Sequence, residues 1–471
     1  MTENKNPVVY AGIIDEIGRR QYSGNVTWIR EYIQNAIDSG SPHLDIKIHG
    51  NDLEIIDYGK GMDSNTIIEE AFSIGKSFKG EGQIGELGIG MYAGSGICDT
   101  ILVRTKMIEK NIVIATIDMR KYREIMSKDP QTTFQEMMAL IFKVEQDTKN
   151  DSRTSFTHIR FQGLSRDTTT LIEQTDLKKF LEYTVNLPVS ETFSHKASLS
   201  SFLGMDSKEI PITLDINGSI TMVKKFESKS LTLTDTFWAK EIVNESGVVI
   251  GKIWAVYNKS GTSLDDARIL VKRKGLTVGT ESVIEGQFFA KFSPRFFGEI
   301  ILLDDRIEIN TSRDWFVSSS YLSIFVKKTR GLLNELWGIA DFDSKNGVGV
   351  INLFNSNARL NRRVKSNEKN SKKIGLAIEE REKIQKNEEK ISEKITSAQE
   401  FIAKAKRGEI NNNDPTNKMK LELIKRTMDN SNVKKYLKHE QHITKRIPFK
   451  TKRRNCCPTQ SPFCAKDELN P

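Results

Sequence analysis

The chain has 471 residues, 28% of them charged, with a net charge of +9 and a mean hydropathy of -0.45. That length allows two or three domains at roughly 100–200 residues each, and no apolar run approaches the roughly 18 residues a membrane helix needs. The opening MTENKNPVVYAG has no basic region followed by an apolar one, and the four cysteines (Cys98, then Cys456, Cys457 and Cys464) make no disulfide framework, so a cytoplasmic protein without a membrane partner is expected.

REYIQNAIDSG, residues 30–40, predicts a helix. Tyr32, Ile33, Ala36 and Ile37 form one apolar face, while Glu31, Asn35 and Asp38 share another side, being three and four residues apart. DIKIHG and DLEIIDYG predict a hairpin turning at Gly50-Asn51-Asp52. Within IIDYGKGMD, residues 55–63, Asp57 ends a strand and Gly59, Gly61 and Met62 follow. IGELGIGMYAG, residues 84–94, sets Gly85, Gly88 and Gly90 at the opening of a predicted helix. TILVRT, NIVIATID and SFTHIRFQG are further strands, so the first 165 residues predict helices laid on a mixed sheet.

TDLKKFLEYTVNLP predicts a connecting helix ending near Pro188. From about 206 to 345, strands GVVIGKIWAVY, ARILVKRKG and FGEIILLDD precede a helix around SYLSIFVKKTRGLLNELW. Lys272, Arg273 and Lys274 read as a solvated cluster at a strand end. Further on, Ala377, Ile384, Ile391, Ala398 and Ala405 recur every seven residues, and Ile395 and Ile402 add the second seam position of a coiled coil. NNNDPTN reads as a linker. Between Lys418 and Arg454 stand 13 Lys or Arg and 3 Asp or Glu, a balance of +10 that accounts for the whole net charge. Such a tail suits an anionic partner, such as nucleic acid or a membrane surface, and equally suits a solvated, flexible end. The tail cysteines with His439 and His442 match no familiar zinc spacing.

The three motifs of the first region make chemical sense together. Glycines let backbone approach a ligand and adopt positive φ. A Gly-rich turn feeding a helix presents free N–H groups to phosphate. Asp57 at a strand end can accept a hydrogen bond from an exocyclic amine such as that of adenine. Asn35 offers a neutral oxygen to a Mg²⁺ already ligated by phosphates. Glu31, one turn away, can orient and deprotonate a water.

In this order the motifs resemble the GHKL ATPases: gyrase, the heat-shock chaperones, histidine kinases and MutL. No Walker-type GxxxxGK[ST] is present. Within that superfamily YSGNVTWIREYIQNAIDSG and IGELGIGMYAGSGICDTILV are most similar to the ninety-kilodalton heat-shock chaperones. The resemblance implies ATP and Mg²⁺ as ligands. It makes Glu31 the water-activating base, Asn35 the Mg²⁺ ligand, and Asp57, Gly59, Gly61 and Met62 the adenine side. Gly85, Gly88 and Gly90 become the phosphate turn, with Lys76 of IGKSF beside the phosphates. Thr154 becomes the threonine beneath adenine, although Arg153 stands where those chaperones have Gly. ARILVKRKGLTV followed by FFGEIILLDDRIEINTSRDWF resembles the chaperone middle domain, whose Asn-x-Ser-Arg-acid loop reaches the ATP site. That makes Arg313 of NTSRD the γ-phosphate contact.

The expected fold is α+β. A Bergerat-type two-layer α/β sandwich ATPase domain covers 1–165, and a connecting helix and linker cover 166–205. A smaller α/β transducer-like middle domain spans 206–345. A helical, partly coiled-coil region follows over 346–409, then a basic, flexible tail over 410–471. The resemblance implies an ATP-hydrolysing clamp that dimerises on ATP binding and acts on a protein client. The basic tail supports the alternative, a nucleic-acid clamp of MutL or MORC type. The ATP site begins too near the N-terminus for a sensor kinase, and Glu31, Asn35, Asp57 and Arg313 together argue against a degenerate binding module.

Overall fold

The computed structural model describes residues 8–20, 26–74, 90–147, 154–204, 209–227, 233–258, 268–279, 283, 295–310, 314–369 and 373–446. The chain divides into two compact units, 1–345 with 399–423, and 346–398 with 424–471. Among the described residues no helix is long and apolar enough to cross a membrane.

The first unit holds two sheets. Helix α1 (Ile29–Asp38) precedes β1 (Leu44–His49) and β2 (Asp52–Asp57), then β3 (Thr100–Lys106), β4 (Ile112–Asp118), α2 (Met119–Lys128), α3 (Phe134–Ile141), β5 (Phe142–Asp147) and β6 (Phe156–Gln162). After α4 (Arg166–Gln174), α5 (Leu177–Thr184) and α6 (Lys196–Leu203), the hairpin β7 (Ile212–Ile216) and β8 (Ser219–Val223) returns to the same sheet. The order is β5-β4-β3-β6-β2-β1-β7-β8, antiparallel except where β1 meets β7. This sheet therefore reaches Val223, into the segment expected to begin the second region.

Strands β1, β2, β3, β4 and β6 of this sheet alternate for most of their length, as half-buried strands should. Ile46, Ile55, Val103, Ile159 and Phe161 face a core that also takes Trp28, Ile29, Tyr32, Ile33 and Ala36. The other face carries ion pairs, among them Arg160 with Asp52 at 2.6 Å and His158 with Glu54 at 3.1 Å. β1 and β2 pair from Leu44↔Asp57 to His49↔Asp52, so the hairpin turn is Gly50-Asn51 with Gly50 at φ +56°.

The second sheet is β12-β11-β13-β10-β9, built from β9 (Trp238–Val243), β10 (Val249–Tyr257), β11 (Arg268–Arg273), β12 (Leu276–Thr277) and β13 (Phe296–Leu302). Every residue of β13 is buried. Successive side chains go to opposite faces, so both faces are covered. On one, Ile253, Tyr257, Ile300 and Leu302 pack with Phe325, Leu333, Leu336 and Ile339 of α7 (Ser320–Asn346) and with Met419 and Leu423. On the other, Trp254, Val256, Phe297 and Ile301 meet Val189, Phe193, Leu199 and Leu203.

Met419 and Leu423 belong to α10 (Pro415–Asp429), inside the segment expected as a flexible tail. Glu422 of that helix accepts from Asp235 N at 2.7 Å and Thr236 N at 2.9 Å, and Trp238 Nε1 donates to Thr416 Oγ1 at 2.9 Å. The linker NNNDPTN instead caps this helix, Asp414 accepting from Thr416 N at 2.9 Å. Deleting the chain from 410 would thus open the core of the second sheet.

The second unit contains α8 (Val348–Glu368), residues 374–398 of α9 (Ile374–Lys406), and α11 (Ser431–Arg446). Ile391 and Ile395 of the expected seam pack here on Val350 and Val433 of the same chain. Asn387 Nδ2 donates to Asn357 Oδ1 at 2.8 Å. The tail cysteines lie outside the described residues.

Candidate nucleotide site

Helix α1 joins the motifs. Near its start Tyr32 Oη donates to Met91 O at 3.1 Å and accepts from Gly94 N at 3.0 Å. A Cβ on Gly94 would lie 2.4 Å from Phe161 Cε1, so only glycine fits there. These contacts bring the end of IGELGIGMYAG onto the helix. Gly90 lies against it: a Cβ there would be 3.4 Å from Asn35 Nδ2 and 3.8 Å from Glu31 Oε2. Glu31 is buried and Asn35 half-buried. An acid, a neutral amide and a glycine backbone thus meet at one place. Gly90 opens a single 3-10 turn, Gly90–Tyr92, rather than the longer helix expected.

At its other end α1 grips the second motif. Ser39 O accepts from Lys60 N at 3.1 Å. Ser39 Oγ lies 2.8 Å from Ala36 O and 3.1 Å from Asp57 Oδ1, with one proton for both acceptors. Asp57 Oδ1 also accepts from Gly59 N at 2.9 Å. A Cβ on Gly59 would sit 1.9 Å from Ser39 Oγ, and one on Gly61, at φ +68°, 1.9 Å from Lys106 O. These two glycines serve close backbone packing against α1 and β3. Met62 is half-buried against the same core, and its N–H donates to Thr105 Oγ1 at 2.9 Å.

The threonine that meets Asp57 is Thr157. The two face each other in register across β2 and β6, and Thr157 hydrogen-bonds the carboxylate. Its hydroxyl is 3.2 Å from that of Thr105. Thr154, chosen from the sequence, lies exposed two residues ahead of the strand. Period-two counting back from Phe161, the buried residue of SFTHIRF, reaches Ile159 and Thr157 and would have found it. Ser39 gave no such signal, being one residue past the helix. Lys76, Gly85, Gly88 and Arg313 lie outside the described residues. Asp38 is half-buried at the end of α1.

Burial pushes the Asp57 carboxyl above its ordinary value of 3.8, and hydrogen bonds from Gly59 N, Ser39 and Thr157 pull it part of the way back. Three donors leave about one of the roughly four acceptor sites of a carboxylate open. The carboxylate therefore has room for one more N–H donor.

Residues 23–157 match the family model of the histidine kinase-, DNA gyrase B-, and HSP90-like ATPases. That segment is similar to the ATPase domains of this family. No curated protein matches the chain. The model describes ATPases, and Glu31, Asn35, Asp57 and Gly90 all fall inside the matched segment.

The basic residues of β11 are placed differently from the expectation. Lys272 and Arg273 are buried rather than solvated. Lys272 Nζ lies 2.8 Å from Glu299 Oε1 and donates to Val185 O at 3.2 Å. Lys225 Nζ donates to Glu299 Oε1 at 3.0 Å and to Asn186 Oδ1 at 2.6 Å. Lys225 follows β8 and Asn186 follows α5, so this cluster fastens the first sheet to the second. Burial alone would raise the Glu299 carboxyl; the two ammoniums overcome it and hold it below its ordinary range.

Proposed function

We propose that the protein is an ATP-hydrolysing clamp of the GHKL type. The observation that carries this is the meeting of Glu31, Asn35 and Gly90 on one side of α1, with Asp57 held as a buried acceptor at its other end. Asp57 takes the exocyclic amine of adenine. Gly59, Gly61 and Met62 shape the loop beneath it, and Thr157 occupies the role first given to Thr154. Gly85, Gly88, Gly90 and Lys76 cradle the phosphates. Asn35 would supply a neutral oxygen to hold Mg²⁺, which would neutralise phosphate charge. Glu31 orients the attacking water and takes its proton.

Arg313 contributes to the γ-phosphate from the second sheet's side of the chain, so that hydrolysis is coupled to closure and dimerisation. The chaperone-like motifs support a protein client. A second reading, a nucleic-acid client, is supported by the basic charge on α8, α10 and α11.

Glu31→Ala is expected to retain ATP binding by calorimetry while turnover falls by about 10²–10⁴-fold. Turnover at the wild-type rate would remove Glu31 from its role. Arg313→Ala should likewise spare binding and lower turnover; unchanged turnover would uncouple the second sheet from the chemistry.

A further inference from the structure

The second unit carries a run of positive charge with little acid beside it along α8. α8 exposes Arg359, Arg362, Arg363 and Lys365, and Lys369 follows it, exposed as well. None of the five has an ion-pair partner among the described residues. The one acid of α8, Glu368, is taken by Arg381 of α9. Val350, Leu353, Phe354 and Val364 turn inward. At about 100° per residue, Arg359, Arg362 and Arg363 lie on the side opposite that apolar stripe, and Arg359 to Lys369 covers about 15 Å of axis.

α11 covers the opposite, apolar side of α8. It packs on α8 through Val433 and Val350, and Tyr436 meets Phe354 edge-on at 5.7 Å. Lys435 and Lys438 are exposed as well, on the side of α11 turned away from α8. The neighbouring stretch of α9, residues 374–398, carries 6 Asp or Glu against 5 Lys or Arg. The unit is therefore polarised, near-neutral along α9 and basic along α8 and α11.

We propose that the arginine face of α8 binds the phosphate backbone of duplex nucleic acid. The proposal rests on the nucleic-acid reading of the client given above. Guanidinium groups make bidentate contacts with phosphate oxygens, and three arginines within two turns match a charged, repeating backbone. Contacts of this kind are blind to sequence. A single strand is matched poorly, because its binding relies on aromatic platforms, whereas Phe354 and Tyr436 are turned against each other. A membrane is matched poorly too. The apolar stripe of α8 is buried, and the exposed Ile374, Leu376 and Ile378 stand on α9, outside the arginine face.

The test is a fluorescence anisotropy titration of the full chain at several salt concentrations. The probes are a mixed-sequence DNA duplex, the RNA duplex of the same sequence, either strand alone, and phosphatidylserine-containing vesicles. Duplex binding is expected, with DNA against RNA showing which helix geometry fits. The triple variant Arg359→Gln, Arg362→Gln, Arg363→Gln is expected to reduce the log–log salt slope by about 2–3 and to weaken binding at least about tenfold near 0.1 M salt. Lys383→Gln, Lys386→Gln, Lys390→Gln removes equal charge from α9 and should leave the slope unchanged.

Equal losses from the two triple variants would mean that net charge alone attracts the duplex, and would overturn the assigned face. So would the absence of duplex binding at low salt, or binding confined to single strands or vesicles. ATP turnover without nucleic acid is measured on the same preparations. Unchanged turnover in the arginine variant with duplex binding lost is the expected pattern. Turnover in a wild-type protein that ignores duplexes would sink this proposal and leave the ATPase reading standing.

Discussion

Two of the buried carboxylates of the first unit, Asp57 and Glu299, are treated in opposite ways. Asp57, 8% exposed, is surrounded by neutral donors: two hydroxyls and one N–H. Glu299, 3% exposed, is held between two ammoniums. Neutral donors compensate burial only in part, so the Asp57 carboxyl rises; ammoniums overcompensate, so the Glu299 carboxyl falls. A charge left partly uncompensated keeps an open acceptor site and is suited to receive a ligand. One that is fully enclosed has nothing left to offer and serves as a fastener between the sheets. The sheets match these roles. The first has one solvated face and its carboxylate at a strand end, where a loop begins. The second is covered on both faces, with its carboxylate in the middle of β13.

The largest effect should come from breaking the fastener. Glu299→Gln leaves Lys225 and Lys272 buried without their counter-charge, and is expected to cost about 3–5 kcal/mol of stability in denaturant unfolding. A loss near zero would mean that the two lysines are not held by Glu299. Asp57→Asn should do the reverse. It removes a charge that burial disfavours, so the ligand-free protein should unfold at an unchanged or higher denaturant midpoint. ATP affinity should fall by the value of a hydrogen bond to a charged group, about 1.5–3 kcal/mol. Wild-type affinity in a calorimeter would end the adenine assignment.

The contrast also explains what the sequence made legible. The first sheet alternates, so β1, β2, β3, β4 and β6 were readable strand by strand. The α1 motif announced itself because a polar register at spacings of three and four interrupted an apolar helix. β10, β11 and β13 were readable as apolar runs, but a run does not say which charged residue inside it is enclosed. Lys272 therefore looked like a solvated strand end. Its partners, Lys225 and Glu299, lie 47 and 27 residues away along the chain. Ser39 was hidden for the same reason: its partner Asp57 is 18 residues on, across a hairpin. Met419 and Leu423 were hidden by composition, since the basic residues around them outvoted two apolar side chains.

Acid sharpens the comparison further, with opposite signs. The raised Asp57 contributes stability that is present below its unfolded value of 3.8 and lost as pH rises through its folded value. The lowered Glu299 contributes stability that is present above its unfolded value of 4.5 and lost as pH falls through its folded value. Acidification from neutral pH should therefore weaken ATP binding first. Once pH is below the folded value of Asp57, affinity should drop about tenfold per pH unit, since only the carboxylate accepts. The junction between the sheets should still be intact at that point. Unfolding that precedes the loss of affinity would place the weaker carboxylate at the junction instead.

The smallest change is the most discriminating. Ser39 has one proton and two acceptors, Ala36 O and Asp57 Oδ1. Its share in holding the Asp57 charge is that of one hydrogen bond, about 0.5–1.5 kcal/mol. Ser39→Ala removes it without touching the remaining donors, Gly59 N and Thr157. The Asp57 carboxyl should rise further, and the acid edge of ATP affinity should move to higher pH by about one unit or less. At a pH well above that edge the affinity should be close to wild type, because Asp57 is then ionised in both proteins. Ser39→Thr, which restores the hydroxyl, should return the edge to its original position. A uniform loss of affinity at every pH, not rescued by threonine, would mean that Ser39 merely packs beneath Gly59 and has no hold on the charge.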